Sequence, residues 1–429
     1  MHARPELPSD SFTTDPAEQQ NRGAMRVLFI SDHGDPLALP GSDFQGGQNV
    51  YVRTLAESLA RSGCTVDVVT RWESADLPER EAITDGAMVI RIRAGALAPI
   101  ARYSFGEVLS QFHDGVDSVF RAARRYDVVH SHYWYAGQSA LRLAASHNVP
   151  VVHTHHSMAM VRYGGGADPA GDRDRKLVET RLRAEEEVSR QADAVIVSCP
   201  AEARDVASAG ACRERIRLVP PGVDTTVLRP RPQDEARAAL GIPPGIPLIV
   251  FAGRLEARKG VEDLIHAFAL VRDELPAARL LVVGGGSAWN GSDEIAPVAA
   301  LAERLGIRGS IRFEGSVPHS EISRYYSAAD VTAVPSHYEP FGLVAIESMA
   351  CGTPVVATRV GGLASTVGEE SVGTLVSVRD PGQLASALLQ VLERGRRQFH
   401  KACLDRVATQ FTVTEWTAGV RRVYESVAR

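Results

Sequence analysis

The sequence predicts an α/β protein made of two doubly wound domains that face each other across a deep cleft. Three observations lead there. The chain has 429 residues, more than one hydrophobic core usually organises, so two domains of about 200 residues are the favoured partition. Short apolar runs alternate with helix-length amphipathic stretches, the pattern of parallel strands joined by crossover helices. That alternation occurs twice, with a segment punctuated by proline and glycine between the two runs.

Residues 1–24 carry Pro, Ser, Asp, Glu and Gln without an apolar run and read as a disordered tail, neither a signal peptide nor an anchor. In the first domain, 25–219, strands are expected at Arg26 to Ser31, Thr65 to Thr70, Val89 to Arg93, Asp127 to Ser131, Pro150 to Thr154 and Ala194 to Ser198, with helices between most of them. Phe105 to Arg125 bears several arginines and reads as an amphipathic helix on the sheet, not as a membrane segment. A linker region follows at 220–247, where Pro220-Pro221-Gly222 and Pro243-Pro244-Gly245 punctuate a stretch poor in strand signals. In the second domain, 248–413, strands are expected at Leu248 to Ala252, Arg279 to Val283, Ile311 to Phe313, Val331 to Val334, Pro354 to Ala357 and Gly373 to Val376. The last segment, 414–429, reads as a helix with Trp416, Val420, Val423 and Tyr424 on one face, packing back toward the first domain.

Composition narrows the function. With 44% hydrophobic residues, 23% charged residues and a net charge of -5, the chain lacks the broad positive field that nucleic acid requires, while a local basic pocket for one small anion is allowed. No apolar stretch of about 18 residues marks a transmembrane helix. Cys64, Cys199, Cys212, Cys351 and Cys403 are scattered without a Cys-x-x-Cys clip, which fits a reducing cytoplasm. Oligomeric state is silent in the sequence, and a homodimer stays open.

Ligands of doubly wound sheets bind beyond the carboxyl ends of the strands, so the chemistry is sought on strand-to-helix turns. The first strand runs through Asp32-His33-Gly34-Asp35-Pro36 to Gly46-Gly47-Gln48-Asn49 before a helix near Val50. The adjacent glycines serve either a close backbone approach to a ligand or only a tight turn. No Gly-x-Gly-x-x-Gly follows this strand, and Gly284-Gly285-Gly286-Ser287-Ala288-Trp289 puts tryptophan where that fingerprint needs its third glycine. Nicotinamide chemistry is therefore disfavoured.

The second half is more informative. Its first strand ends in Gly253-Arg254-Leu255-Glu256-Ala257-Arg258-Lys259-Gly260, and Lys259 is one of only three lysines, with Lys176 and Lys401. Arg254 and Lys259 stand where a diphosphate would lie, and cations with no anion to meet would oppose the positive end of the following helix. Downstream, His337-Tyr338-Glu339-Pro340-Phe341-Gly342-Leu343-Val344-Ala345-Ile346-Glu347 sets two carboxylates eight residues apart across a helix start. Eight helical residues rise about 12 Å, the distance from a transferred sugar to the ribose of its nucleotide. Glycoside hydrolases need their two acids about 5 to 10 Å apart around one bond, which fits this spacing poorly.

With Gly352-Thr353-Pro354-Val355-Val356-Ala357-Thr358 and Gly361-Gly362, these motifs resemble the retaining glycosyltransferases of the GT-B fold, family 4, in the same order and over nearly the whole chain from Met25. The resemblance implies that Arg254 and Lys259 bind the donor diphosphate, that Glu339 contacts the donor sugar, and that Glu347 contacts the ribose. It implies Gly46, Gly47, Phe341, Gly342 and Leu343 as further donor contacts, and backbone near Val317 as the reader of the base. The donor is expected to be a UDP-sugar by analogy, with a GDP-sugar second, and neither metal nor cofactor is expected.

Within that family, Gly46-Gly47-Gln48-Asn49-Val50-Tyr51-Val52 and Val129-His130-Ser131-His132-Tyr133-Trp134 look most like the branch acting on phosphorylated acceptors, which includes inositol-phosphate N-acetylglucosaminyltransferases and sucrose-phosphate synthases. The branch's phosphate-binding lysine, tyrosine, threonine and arginine match Arg102, Tyr133, Ser157 and Arg181 here, two of them substituted. Arg102 and Arg181 equally fit solvated surface charges. The resemblance also puts His156, His33 and Asn49 on the acceptor wall, His156 near the transferred sugar. His153-Thr154-His155-His156 is not read as a metal site, because its side chains would alternate across the sheet with no acidic or cysteine partner; His153 and His155 read as structural. A natural-product glycosyltransferase, a nucleotide-sugar epimerase and a catalytically idle sugar-nucleotide binding module remain as alternatives.

Overall fold

The computed structural model describes residues 24–38, 47–100, 102–123, 125–163, 172–285 and 295–428. The expected N-terminal tail, Gly46 and Trp289 lie outside these residues. The chain forms two separate sheets, which makes it the α/β protein of two doubly wound halves that the sequence predicts. The first contains β1 (Arg26–Ile30), β2 (Thr65–Arg71), β3 (Arg80–Thr84), β4 (Ala87–Ile92), β5 (Val128–His132), β6 (Val151–Thr154), β7 (Ala194–Val197) and β8 (Ile216–Leu218). Their order is β3-β4-β2-β1-β5-β6-β7-β8. The second contains β9 (Leu248–Ala252), β10 (Arg279–Val283), β11 (Ile311–Gly315), β12 (Val331–Val334), β13 (Val355–Thr358) and β14 (Gly373–Val376), in the order β11-β10-β9-β12-β13-β14.

Two of these strands were not expected. β3 pairs antiparallel with β4 through the two-residue turn Asp85-Gly86, with Gly86 at φ 82°. That dipeptide is a hairpin signal, but β3 is polar and only partly covered, so it lacks the apolar run that marks the other strands. β8 is three residues long and sits at the opposite edge, too short to leave a periodic signature.

Both faces of the first sheet are covered, one by a core including Phe112, Trp134 and Tyr135, the other by a core including Tyr51, Leu55 and Leu59. The second of these is completed by the last helix, Val413–Val427, whose Trp416, Val420, Val423 and Tyr424 are buried beside Val27 and Val68. The chain thus crosses twice between the halves. At that crossing Gly222 lies so close to Thr412 that a Cβ would come 2.2 Å from the Thr412 carbonyl oxygen, and Val223 pairs with Thr412 in a bridge. Much of the expected linker is not a linker. Its helix Gln233–Ala239 packs on the second half, with Leu228, Ala236 and Ile242 in that core and Arg237 paired to Asp330 at 2.8 Å. Proline and glycine punctuation marked its ends and hid the helix between them.

Candidate active site

A cavity of about 370 Å³ opens between the two halves, lined by segments that follow the carboxyl ends of β5, β6, β7, β9, β10 and β11. It is the crevice that facing doubly wound sheets produce.

The wall from the second half is built on turns that only glycine permits. After β9 the chain makes the short turn Ala257–Lys259, closed by Gly260 at φ 67°. A Cβ at Gly260 would stand 2.0 Å from the Pro335 carbonyl oxygen, so the missing side chain lets the loop after β12 lie directly on this turn. Two hydrogen bonds fix that stacking: His337 N–H donates to the Arg258 carbonyl at 2.8 Å, and His337 Nε2 lies 2.6 Å from Asp263 Oδ2. The result brings Lys259 Nζ to 2.5 Å from Glu339 Oε2. Gly361 holds the same loop from the other side, because a Cβ there would be 2.0 Å from the Glu339 carbonyl oxygen.

Charges on this wall are paired with one another. Glu256 bridges Arg254 and Arg258 at 2.5 Å each. Burial pushes its carboxyl pKa up, but the two guanidiniums together outweigh burial and hold it below the ordinary value. Glu347 lies in the helix Leu343–Ala350 and is buried, with His319 Nε2 at 3.1 Å and the Tyr326 hydroxyl donating at 2.9 Å. Burial again raises its pKa and is again outweighed, here by His319, Tyr326 and Lys259, while Glu347 raises the pKa of His319 against burial. The start of that helix faces the cavity through Gly342, Leu343 and Val344, so N–H groups without intrahelical partners line it. Glu339 precedes the helix, which begins at Leu343, so the expected helical ruler of eight residues is a loop followed by about one turn.

The opposite wall is mostly neutral, with Arg162 and Glu202 as the charged residues of its lining. His156 takes the left-handed conformation, φ 59°, which turns its ring back over the sheet end. There it meets Tyr51 edge-on at 4.7 Å between centroids, and its Nε2 lies 3.0 Å from His132 Nδ1. Burial drives the His156 pKa down to about 3 and that of His132 well below its ordinary value, so both rings are neutral and one proton is shared between the facing nitrogens. His153 and His155 hold a separate buried chain from Ser131 to Ser189, with His153 Nε2 at 3.2 Å from His155 Nδ1. Among the described residues no group of three or more His, Cys, Asp or Glu is arranged to hold a metal ion.

Tyr133, Ser157 and Arg181 come together behind this wall. Arg181 is 4% exposed and its guanidinium carbon lies 4.9 Å from the Tyr133 ring centroid. It donates to the Ser157 hydroxyl at 2.9 Å and carbonyl at 2.7 Å, and pairs with Glu185 at 2.6 Å. The surface-charge reading of Arg181 is therefore wrong: the side chain is a buried part of the wall. His33 packs on Tyr133 at 4.6 Å and is held by Asp32 at 2.7 Å, and Asn49 donates to the Asp35 carbonyl at 3.0 Å. Tyr133, Ser157, His156, Asn49 and Gly47 line the cavity, as do Arg254, Lys259, Val317, Glu339, Phe341, Gly342, Leu343 and Glu347. Arg102 opens the turn Arg102–Glu107. Sequence reasoning missed His319, Tyr326, Arg258 and Arg162 in the cavity lining, and Glu185 as the partner of Arg181. Only Arg258 carried a signal, as part of the run beside Lys259.

Two family descriptions match the chain: glycosyltransferase family 4 over residues 45–227 and glycosyl transferases group 1 over residues 232–403. A D-inositol 3-phosphate glycosyltransferase of Acidothermus cellulolyticus is 39% identical over 378 residues, 87% of this chain and 84% of the relative. One from Corynebacterium jeikeium is 40% identical over 85% of this chain and 87% of the relative. Among solved structures, sucrose-phosphate synthase from Thermosynechococcus elongatus superposes with a TM-score of 0.86 at 36% identity, covering 94% of this chain and 98% of that one. The Anabaena protein HepE, solved with UDP and glucose, shares the fold with a TM-score of 0.73 at 21% identity over 94% of this chain and 100% of that one. The chain belongs to the family 4 glycosyltransferases of the GT-B fold, and it is a glycosyltransferase that uses a nucleotide-sugar as co-substrate. Among the described residues no helix is long and apolar enough to cross a membrane.

Proposed function

We propose that this glycosyltransferase moves a sugar, with retention, from a UDP-sugar to a small phosphorylated polyol or sugar such as inositol phosphate. One observation carries the reading: Arg254, Lys259, Glu339 and Glu347 face Tyr133 and Ser157 across a single cavity, with the Arg181 guanidinium directly behind Ser157 at 2.9 Å. The half at 248–413 takes the donor and the half at 25–219 takes the acceptor. Arg254, Lys259 and the N–H groups at the start of the helix Leu343–Ala350 hold the diphosphate, and Glu347 holds the ribose diol. Glu339 releases Lys259 and accepts from the sugar hydroxyls. Arg181, Tyr133 and Ser157, with Arg102, receive the acceptor phosphate.

The acceptor hydroxyl then attacks the anomeric carbon from the face the diphosphate leaves. The new C–O bond forms as the bond to the diphosphate oxygen breaks, and that oxygen takes the hydroxyl proton. Lys259 and Arg254 stabilise the charge that develops on it. His156, neutral by burial, is placed to hydrogen-bond the sugar without adding charge next to an oxocarbenium-like centre. A cytoplasmic location is part of the proposal, since a reducing compartment would keep the five free cysteines as thiols.

The test is an activity matrix of UDP- and GDP-sugars against inositol phosphate, fructose 6-phosphate and unphosphorylated acceptors. Transfer from a UDP-sugar to a phosphorylated acceptor is expected, with the unphosphorylated form at least about tenfold poorer, the effect of a lost charge-assisted contact. Isomerised donor without acceptor would mean an epimerase, and transfer to unphosphorylated acceptors alone would remove the phosphate from the proposal.

A further inference from the structure

Glu339 is bracketed by two contacts that come from the opposite half. On one side of it the Tyr338 hydroxyl accepts a hydrogen bond from Met158 N–H at 3.3 Å. On the other side the Cys199 thiol donates to the Pro340 carbonyl at 3.5 Å. Neither segment is loosely held. Met158 lies between Ser157, which accepts from Arg181 through both its hydroxyl and its carbonyl, and Ala159, whose N–H donates to Glu185 at 2.8 Å. Arg181 and Glu185 are themselves paired, so a single rigid unit runs from the guanidinium to Met158 N–H. Cys199 caps the helix Pro200–Ser208, accepting from Glu202 N–H at 3.4 Å. Tyr338 lines the cavity beside Glu339.

We propose that Tyr338 is a positioning residue that couples occupancy of the acceptor anion subsite at Arg181 to the placement of Glu339 on the donor. The inference rests on the functional reading above and adds a coupling element to it. An anion that engages Arg181 shifts or stiffens the 157–159 segment, the hydrogen bond to Tyr338 passes that to the loop carrying Glu339, and the 2.5 Å pairing of Glu339 with Lys259 passes it on to the ammonium that holds the diphosphate of UDP. Binding at one site is then worth more when the other is filled, and by linkage the enhancement is the same in both directions. Cys199 anchors the far end of the loop, so the loop follows the 157–159 segment as one piece.

The experiment measures UDP affinity of the full chain by calorimetry, without and with saturating inositol phosphate or fructose 6-phosphate. In the unmodified protein the acceptor is expected to tighten UDP about five- to tenfold, within the usual range of coupling between sites. Tyr338→Phe keeps the ring and removes the hydroxyl that accepts from Met158, and it should cut that enhancement to less than about twofold. Cys199→Ala should weaken the coupling, while Cys199→Ser, which retains a donor to Pro340 and a cap for Glu202 N–H, should restore it. In steady state the Tyr338→Phe loss should appear as a raised donor KM only when acceptor is present. A merely structural role would lower donor and acceptor affinities together and leave their ratio alone. Enhancement that persists in Tyr338→Phe overturns the coupling, as does an unmodified protein that binds UDP without any enhancement; in both cases the functional reading stands. An unmodified protein that does not bind UDP at all overturns both.

Discussion

Across the cleft, the second half lines the cavity with Arg254, Arg258, Lys259, Glu339 and Glu347, whereas the first half lines it mainly with neutral groups, His156, Tyr133 and Ser157, beside Arg162 and Glu202. On the charged side Lys259 and Glu339, which pair at 2.5 Å and both line the cavity, keep 16% and 12% side-chain exposure. Such pairs can exchange one another for a ligand at modest cost. On the other side Arg181 and Glu185 are buried and locked together, Glu202 is buried against the Ser198 N–H at 2.7 Å, and the histidines are neutral because burial makes them so. The second half presents partly exposed ion pairs; the first presents mostly neutral side chains fixed by burial. Charge alone does not define a polar site, since a wall of neutral donors and acceptors specifies hydroxyls without raising the field on the reacting carbon.

The largest test of this contrast is acid. His130, His132 and His153 have pKa values driven well below the ordinary one by burial, and His155 and His156 are lowered to about 3. The unfolded chain binds protons at these sites below about pH 6.5 and the native chain does not. Stability is therefore intact above that pH and falls as pH drops from about 6.5 toward 3, by about 1.4 kcal/mol per pH unit for each histidine. Hydrogen exchange followed by mass spectrometry should show β5 and β6 losing protection before β9 and β10, and the reverse order would break the comparison.

Next in size is Lys259→Ala, which should lower kcat by about 100- to 1,000-fold, the cost of one well-placed donor to a developing charge, while UDP binding weakens less. An unchanged kcat would remove the lysine from the chemistry. Gly361→Ala adds a Cβ 2.0 Å from the Glu339 carbonyl oxygen at a residue with φ 45°. It should cost about 1–3 kcal/mol of stability in thermal unfolding and weaken UDP binding, with acceptor binding preserved. Smallest is Ser157→Ala, where Arg181 keeps its bond to the Ser157 carbonyl and loses only the one to the hydroxyl. The acceptor KM should rise less than about tenfold, the worth of one hydrogen bond, with the donor KM unmoved. A donor effect as large as the acceptor effect would dissolve the division between the two walls.

The strands with apolar runs, the twofold repetition of the pattern and the glycine-flanked charges of the second half were all legible, because each is encoded within a few consecutive residues. Arg258 and Lys259 sit in one turn, and Gly342 stands immediately before the helix of Glu347, five positions ahead of that residue. The hairpin strand β3 and the helix Gln233–Ala239 were missed because one is too polar and the other too short for periodicity to register. His319 and Tyr326 left no local mark, since they come to Glu347 from a different segment 28 and 21 residues away.

By itself, then, the sequence determined two wound sheets and a glycine-flanked, cation-bearing turn, since strand periodicity, glycine placement and neighbouring charges act over short stretches of chain. Tertiary structure alone decided that Lys259 meets Glu339 across 80 residues, that Arg181 is buried against Glu185 and Ser157, and that the histidines of the first wall are uncharged. The reason is physical: pairing and protonation depend on which groups share a desolvated volume, and that volume exists only once the distant strands and loops of each half have folded around it.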